Sequence, residues 1–218
     1  MPALASCSRL CILFQGESYA FEAVCDRLSG DAMGLLKPAI FLDRDGTLNE
    51  EVDHLSRPED VRLIPGAAEA VARLNRKGIP VIVVTNQSGI GRGYFGWPDF
   101  EAVMARMQEL LAEEQAWMDA VYAAAHHEKG QGEYAAVNHP DRKPNPGMLL
   151  RAAEEHGLDL PRSWMVGDKA IDLEAGRNAG CRVALVRTGY GQRMDGSKAD
   201  LVAADLAEAV TRILAQWP

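Results

Sequence analysis

The sequence alternates short apolar runs with amphipathic stretches, and this alternation is the feature that most restricts its fold. From Pro38 onward each apolar run has the length of a buried strand, and stretches of helical periodicity lie between the runs. We predict strands over 39–42, 80–84, 120–125, 163–166 and 182–186. We predict helices over 67–77, 98–117, 146–156, 168–179 and 204–217. Such alternation predicts an α/β fold, a Rossmann-like parallel sheet with helices on both faces.

The length of the chain, 218 residues, suits one domain of ordinary size. We assign residues 38–218 to this domain, which leaves no room for more than a minimal cap. Residues 1–37 are interpreted as an N-terminal extension that packs on the domain or is partly flexible. The short apolar patch at 10–14 lacks the charged start, the long apolar core and the cleavage site of a signal peptide.

Composition narrows the range of partners. A net charge of -8 argues against a nucleic-acid-binding surface, which needs basic patches. No apolar run approaches the ~20 residues of a membrane helix, and the four cysteines lack the spacing of a metal site or a disulfide framework. We therefore expect a reduced, cytoplasmic protein without nucleic-acid or membrane partners. The oligomeric state is not fixed by the sequence, and a monomer is the favoured interpretation.

The first motif is the apolar run that ends in Asp43-Arg44-Asp45-Gly46-Thr47. Residues two apart on a strand face the same way, so Asp43 and Asp45 can converge at the carboxyl end of a buried strand. Two adjacent carboxylates stay ionised when a cation neutralises them, which predicts a magnesium site. Asp43 suits a nucleophile that forms an aspartyl-phosphate, and Asp45 a general acid and base. The alternative is a pair of turn-forming aspartates.

The second and third motifs supply groups that can bind a phosphoryl group. Thr85 ends a second apolar run, and its hydroxyl can bind a phosphoryl oxygen. Lys143 precedes a proline, so extended backbone can hold its ammonium beside the transferring group. Arg142 offers a bidentate fork for a second anionic group. The alternatives are an ordinary turn at Thr85 and a solvated basic loop at 142–143.

The fourth motif is the run that ends at Gly167-Asp168-Lys169. Asp168 can be a third magnesium carboxylate. Asp172 lies four residues on, on the same helical face, where it can hold the waters of the metal or orient Lys169. The alternative is a helix N-cap followed by an incidental aspartate.

Taken together, the four motifs resemble the haloacid dehalogenase-like (HAD) phosphohydrolase superfamily, and within it the branch of heptose-bisphosphate and histidinol-phosphate phosphatases. The resemblance is carried by residues 41–49, 85–93, 142–150 and 165–169, with 186–189. It implies a magnesium-dependent phosphomonoesterase with little or no cap. It also implies that the catalytic residues are Asp43, Asp45, Thr85 and Lys143. The implied magnesium ligands are Asp43, Asp45 and Asp168, and Asp172 is expected to support these ligands without binding the metal directly. Substrate contacts are predicted for Arg44, Asn86, Gln87, Ser88, Arg142 and Lys169, and for the stretch after Asn49.

One segment departs from this family. Its members commonly carry a zinc loop, Cys-x-His followed by Cys-x-Cys just before Arg-Lys-Pro. The corresponding positions here are Ala124, His126, His139 and Asp141. Without thiolates we predict that the loop holds no zinc; the alternative is a metal bound by His126, His139 and Asp141. In the stretch after Asn49, His54 stands where the family usually has tyrosine.

The sequence thus predicts a phosphatase that acts through an aspartyl-phosphate, with D-glycero-D-manno-heptose 1,7-bisphosphate as the leading substrate. One alternative is a phosphatase for histidinol phosphate or another small phosphomonoester. An alternative of another class is a catalytically silent binding protein with the same fold. The complete set of four motifs argues against the silent protein, but the physiological substrate is not fixed by the sequence.

Overall fold

The computed structural model describes residues 11–13, 19–22 and 36–217. Its centre is a sheet of six parallel strands, which are β3 Ile40–Leu42, β4 Val81–Asn86, β5 Ala120–Ala124, β6 Trp164–Gly167, β7 Arg182–Val186 and β8 Leu201–Ala203. Their order in the sheet is β5-β4-β3-β6-β7-β8. The predicted α/β fold class is confirmed.

The central strands are buried on both faces, which explains their unbroken apolar sequences. Every residue of β3 and of 81–85 in β4 is buried. Leu42 at the end of β3 is in register with Val83 of β4 and Val166 of β6. The residues that follow these strands therefore emerge at one edge of the sheet, as the motifs require.

Helices cover both faces of the sheet. They are α1 Ala67–Arg76, α2 Ser88–Gly91, α3 Trp97–Glu113, α4 Gly147–His156, α5 Ala170–Asn178 and α6 Leu206–Leu214. One apolar core includes Leu74 of α1, Met107 of α3 and Val210 of α6. The other includes Leu149 of α4 and Leu173 of α5. The two cores lie on opposite faces of the sheet, because residues that alternate along β3 and β4 belong to different cores.

Several element boundaries differ from the prediction for local reasons. Helix α3 ends at Glu113 rather than at 117, since Gln115 has a left-handed φ of 57°. Helix α5 begins at Ala170 rather than at Asp168, and α6 begins at Leu206, where the Asp205 carboxylate accepts a hydrogen bond from the Glu208 N–H (2.8 Å). Strand β8 and helix α2 were not predicted, because three and four residues are too short to show a period.

The predicted N-terminal extension falls largely outside the described residues. Its described parts are residues 36–37 and two short strands, β1 Cys11–Leu13 and β2 Tyr19–Glu22. They pair antiparallel with each other, and β2 pairs antiparallel with β5 at the edge of the sheet. The boundary between residues 37 and 38 remains a prediction.

None of the helices in the described ranges combines the length and the apolar character that crossing a bilayer requires.

Candidate active site

A buried ammonium group joins two carboxylates at the carboxyl edge of the sheet. Lys143 is 2% exposed, and its Nζ lies 2.6 Å from Asp43 Oδ1 and 2.7 Å from Asp172 Oδ1. The same Nζ donates to the Val84 carbonyl oxygen at 2.8 Å. The side chain is thereby fixed between the ends of β3 and β4 and the first turn of α5.

The backbone of Lys143 is fixed as well. The Asn86 side chain donates from Nδ2 to the Lys143 carbonyl (3.0 Å) and accepts at Oδ1 from the Lys143 N–H (3.0 Å). This double contact links the end of β4 to the loop before α4. It also occupies both polar atoms of Asn86, so that this amide positions Lys143.

Three carboxylates meet beside this lysine. Asp43, Asp168 and Asp172 each present an oxygen, and these oxygens lie within 4.8 Å of one another. Asp168 is fully buried; its Oδ2 accepts from the Tyr190 N–H at 2.8 Å, while its Oδ1 has no hydrogen-bond partner. A buried carboxylate oxygen without a donor, among two further carboxylates, fits a divalent cation of the magnesium type.

Two glycines make room for the Asp168 carboxylate. A Cβ on Gly46 (φ 86°) would lie 2.2 Å from Asp168 Oδ2, and a Cβ on Gly189 (φ 51°) would lie 2.3 Å from the same oxygen. The Thr188 hydroxyl donates to the Gly46 carbonyl at 2.6 Å, which ties the loop after β7 to the first motif. Only glycine satisfies both the left-handed backbone and this close approach.

The electrostatics of the cluster favour a bound cation. Burial, with the adjacent charge of Asp172, raises the pKa of Asp43 to about 7. Burial also raises the pKa of Asp168 to about 6. Burial alone would lower the pKa of Lys143, but Asp172 and Asp43 outweigh it and the pKa is raised. One ammonium thus faces three carboxylates, and a divalent cation would offset the remaining negative charge.

Asp45 lies in a different hydrogen-bonded group. Its carboxylate accepts from Arg44 Nε (3.0 Å), Asn49 Nδ2 (3.0 Å) and Gln87 Nε2 (3.2 Å), and Arg44 Nη2 lies 2.8 Å away. Gln87 Nε2 also donates to the Thr85 hydroxyl at 2.9 Å. Burial opposes ionisation, but the Arg44 guanidinium and these hydrogen bonds lower the pKa of Asp45. Asp45 is therefore ionised at neutral pH.

A second lysine, Lys169, lies near the carboxylates of Asp43 and Asp168. Lys169 Nζ is 2.6 Å from Glu51 Oε2 and 4.7 Å from the centre of the Tyr190 ring. Burial would lower the pKa of Lys169, but Asp43, Glu51 and Asp168 raise it. Because Lys169 is partly exposed and positively charged, it can bind an anionic ligand next to the carboxylate cluster.

The sequence matches a known family over most of its length. The family model described as haloacid dehalogenase-like hydrolase matches residues 40–132, and a second HAD-like hydrolase model matches residues 141–209. A D-glycero-beta-D-manno-heptose-1,7-bisphosphate 7-phosphatase of Mesorhizobium japonicum is 53% identical over 155 residues, which are 71% of each chain. The chain belongs to the HAD-like hydrolase family. Within that family it groups with the phosphatases.

Solved structures of HAD-like phosphatases share its fold. A HAD-like phosphatase of Mesorhizobium loti is 43% identical, with a TM-score of 0.79 over 93% of this chain and 94% of that one. The D,D-heptose 1,7-bisphosphate phosphatase of B. bronchiseptica, complexed with magnesium and phosphate, is 33% identical, with a TM-score of 0.74 over 82% of this chain and 99% of that one.

The HAD-like fold brings most of the predicted site residues together, although their roles remain predictions. Asp43, Lys143, Asp168 and Asp172 form one cluster. Asp172 pairs with Lys143, and its Oδ2 accepts from the backbone N–H of Lys169 (2.9 Å), so that it contacts Lys169 through the main chain. Ser88 opens α2 next to Gln87, and Arg142 is partly buried beside the 126–141 loop.

Three predicted residues occupy other places than expected. The carboxylate of Asp45 lies outside the cluster of three, in which Asp172 is the third member. The Arg44 side chain is 1% exposed; it contacts Asp45, and its guanidinium lies 5.5 Å from the centre of the Phe100 ring. The amide of Asn86 is engaged by Lys143. Arg44 thus contacts Asp45, and Asn86 contacts Lys143, while their predicted substrate contacts stay predictions.

Glu51 and Tyr190 were not predicted individually. Glu51 lies in the stretch after Asn49 that was expected to contact substrate, but nothing in its local sequence indicates a partner 118 residues away. Tyr190 follows the Thr188-Gly189 turn, and its backbone N–H reaches Asp168. The stretch after Asn49 and Lys169 were both predicted to contact the substrate. A search of that stretch for an acidic partner of Lys169 could therefore have identified Glu51.

We predict that Gly189→Ala reduces activity by about 10–100-fold, because the new Cβ displaces the Asp168 carboxylate from its productive position. The matched control is Gly157→Ala, since Gly157 has a similar φ of 62° and a Cβ added there would meet no atom within 4 Å. Both variants should lose about 1–2 kcal/mol of stability from the left-handed backbone, and Gly189→Ala should lose more, because its Cβ would also lie 2.7 Å from Gly46 Cα. Phosphate release from a chromogenic monoester and urea denaturation measure the two effects; equal activities in both variants would contradict the role of Gly189.

Proposed function

We propose that this chain is a magnesium-dependent phosphatase that removes the 7-phosphate of D-glycero-D-manno-heptose 1,7-bisphosphate through an aspartyl-phosphate on Asp43. The observation that carries the proposal is the buried cluster in which Lys143 bridges Asp43 and Asp172 beside the unpartnered oxygen of Asp168. The names of the relatives support the substrate.

The carboxylates of Asp43 and Asp168 would hold magnesium, and the group formed with Asp172 supports this assignment. Asp45, the other predicted ligand, has its carboxylate engaged by Arg44, Asn49 and Gln87. When bound, the cation supplies positive charge for the phosphate oxygens and for the carboxylates around it.

In the first step a carboxylate oxygen of Asp43 attacks phosphorus, and the bond from phosphorus to the sugar oxygen breaks. Lys143, held beside Asp43 at 2.6 Å, stabilises the negative charge on the transferring group. The leaving oxygen needs a proton, and Asp45 is ionised in the resting site. The second pKa of a phosphate monoester is about 6, so substrate in its monoanionic form brings a proton that Asp45 can pass to the leaving oxygen.

In the second step water attacks the phosphorus of the aspartyl-phosphate, and the bond to Asp43 breaks. Asp45 accepts the proton of this water as a general base and then passes it to the departing phosphate or to solvent, which restores the ionised resting state. Its lowered pKa and its contacts to Arg44 and Asn49 hold the carboxylate ionised and oriented for that role. Thr85, linked to Asp45 through Gln87, offers a hydroxyl to a phosphoryl oxygen.

A bisphosphate substrate matches the positive groups outside the cluster. Arg142 and Lys169 lie beside Lys143 and Asp168 in sequence, and both are partly exposed. We assign Arg142 to the phosphate that does not react. This assignment favours a sugar bisphosphate, and thus a role in carbohydrate metabolism, over histidinol phosphate. The cytoplasmic location, the monomeric state and the lack of nucleic-acid partners remain predictions.

Asp43→Asn should abolish turnover, because an amide does not attack phosphorus. The fold should persist, since the amide still fits the space of the carboxylate. Release of inorganic phosphate from heptose bisphosphate measures turnover, and circular dichroism checks the fold. Phosphate release close to that of the wild-type protein would remove Asp43 as the nucleophile.

Removal of magnesium by a chelator should abolish activity on every substrate, and magnesium added back should restore it. Magnesium should also stabilise the wild-type protein, by about 2.7 kcal/mol at a hundred times its dissociation constant. Asp168→Asn should lose most of this stabilisation, which thermal unfolding with and without the metal detects. Full activity after exhaustive chelation would refute the metal dependence.

Arg142→Ala should raise KM for the bisphosphate by roughly 10–100-fold, because a charged hydrogen-bonded contact is lost. It should spare a simple monoester. Lys143→Ala is the contrasting variant and should lower kcat on both substrates, because its charge is needed in the transition state. Equal losses on bisphosphate and monoester for Arg142→Ala would argue against a second phosphate and favour histidinol phosphate or another small monoester.

A further inference from the structure

The loop between β5 and Arg142 corresponds to the zinc loop of the family, and its side chains do not fit a zinc ion. Zinc lies about 2.0–2.1 Å from a ligating imidazole nitrogen, in the plane of that ring. The rings of His126 and His139 are stacked, with centroids 3.4 Å apart and planes inclined by 2°. Two nearly parallel planes at that separation share no position for one ion.

The other two positions that correspond to zinc ligands, Ala124 and Asp141, are no better suited to bind zinc. Ala124 has no donor atom, and Asp141 Oδ2 is paired with Arg151 Nη1 at 3.0 Å. In the part of the chain that the structure describes, the only group of three or more metal-ligating side chains is Asp43, Asp168 and Asp172. The loop is therefore closed by something other than a metal.

Both stacked histidines hold Arg142. The His126 carbonyl accepts from Arg142 Nη1 at 3.0 Å, and the His139 carbonyl accepts from the Arg142 backbone N–H at 3.0 Å. His139 Nδ1 also accepts from the Asp141 N–H at 3.2 Å. The stack thus joins the two residues that fix the guanidinium and the backbone of Arg142.

The stack is supported from one side by Tyr134. The Tyr134 ring meets His126 edge-on, with centroids 5.6 Å apart, and its hydroxyl accepts from Trp97 Nε1 at 3.0 Å. His126 is buried and His139 is partly exposed. Aromatic contacts, rather than bonds to a metal, therefore connect the start of the loop to its end, and a hydrogen bond connects Tyr134 to α3.

We propose that the His126–His139 stack closes the 126–141 loop without a metal, and that His126 and His139 are positioning residues: their stacked rings fix the two backbone carbonyls that hold Arg142 toward the second phosphate. The metal-free closure stands on the geometry of the loop alone. The effect on the second phosphate rests on the function proposed above. Loss of the stack should release Arg142 and leave Asp43 and Lys143 in place.

The first experiment compares the full-length wild-type protein with His139→Ala, with His139→Phe, which keeps a stacking ring, and with Val137→Ala, a change at a loop residue that is 85% exposed and outside the stack. Zinc content is measured after purification without added metal, and hydrogen exchange is followed in peptides that cover 126–141. We expect far less than one zinc per chain and exchange that a chelator does not change. His139→Ala should exchange about three- to tenfold faster, the range expected for one aromatic pair. Val137→Ala should resemble the wild type, and so should His139→Phe, except at the Asp141 N–H, which loses its acceptor on His139 Nδ1.

The second experiment measures kinetics with heptose bisphosphate and with a simple monoester. His139→Ala should raise KM for the bisphosphate about three- to tenfold with kcat little changed, and His139→Phe should restore it. The monoester should be unaffected in both variants. Equal losses on both substrates, or no rescue by His139→Phe, would overturn the positioning role.

Zinc near one equivalent per chain, lost on His126→Ala together with the protection of the loop, would overturn the metal-free closure. If the wild-type protein does not hydrolyse heptose bisphosphate, the proposed function fails, and the metal and exchange measurements still decide how the loop is closed.

Discussion

The buried ion pairs of Lys143 are the interaction on which the arrangement of the site depends. An ammonium group that is 2% exposed has almost no water to solvate it, so its stability comes from Asp43, Asp172 and the Val84 carbonyl. Removal of one partner from a buried pair typically costs about 3–5 kcal/mol. Three separate segments, the end of β3, the loop before α4 and the first turn of α5, are thereby held in one relative position.

The parallel register of the sheet makes this meeting geometrically available. Leu42, Val83 and Val166 lie at the same level of the sheet, so the chain emerges at one edge after each of these strands. Asp43 and Asp168 then face one another across neighbouring strands, and the left-handed turns at Gly46 and Gly189 leave space for the Asp168 carboxylate. The strands supply the position, and the loops supply the chemistry.

The sequence predicts the architecture well because its signals are local, whereas the remaining features depend on contacts between distant segments. The apolar runs of β3, β4, β6 and β7 and the glycine stops after α1, α4 and α5 can be recognised without knowledge of the fold. The third carboxylate of the cluster with Asp43 and Asp168 is that of Asp172 and not that of Asp45, because Arg44 and Gln87 bind the Asp45 carboxylate. The pairing of Glu51 with Lys169 spans 118 residues, and the stacking of His126 on His139 depends on how the loop folds back.

The placement of positively charged side chains explains how an acidic protein can bind an anionic substrate. The chain as a whole carries a net charge of -8, yet Lys143, Lys169 and Arg142 lie within or beside the site. Lys143 is neutralised by two carboxylates and therefore adds little attraction at a distance, although it acts directly on the reacting group.

Lys169 and Arg142 are less buried than Lys143. The Arg142 guanidinium donates to the neutral carbonyl of His126, which leaves the positive charge of Arg142 available to an anion. In water, screening limits long-range attraction to about 10 Å at 0.1 M salt, so the net charge of the remote surface matters less than these local groups. Recognition of a bisphosphate would then depend on the fixed position of Arg142, and hence on the loop that holds it.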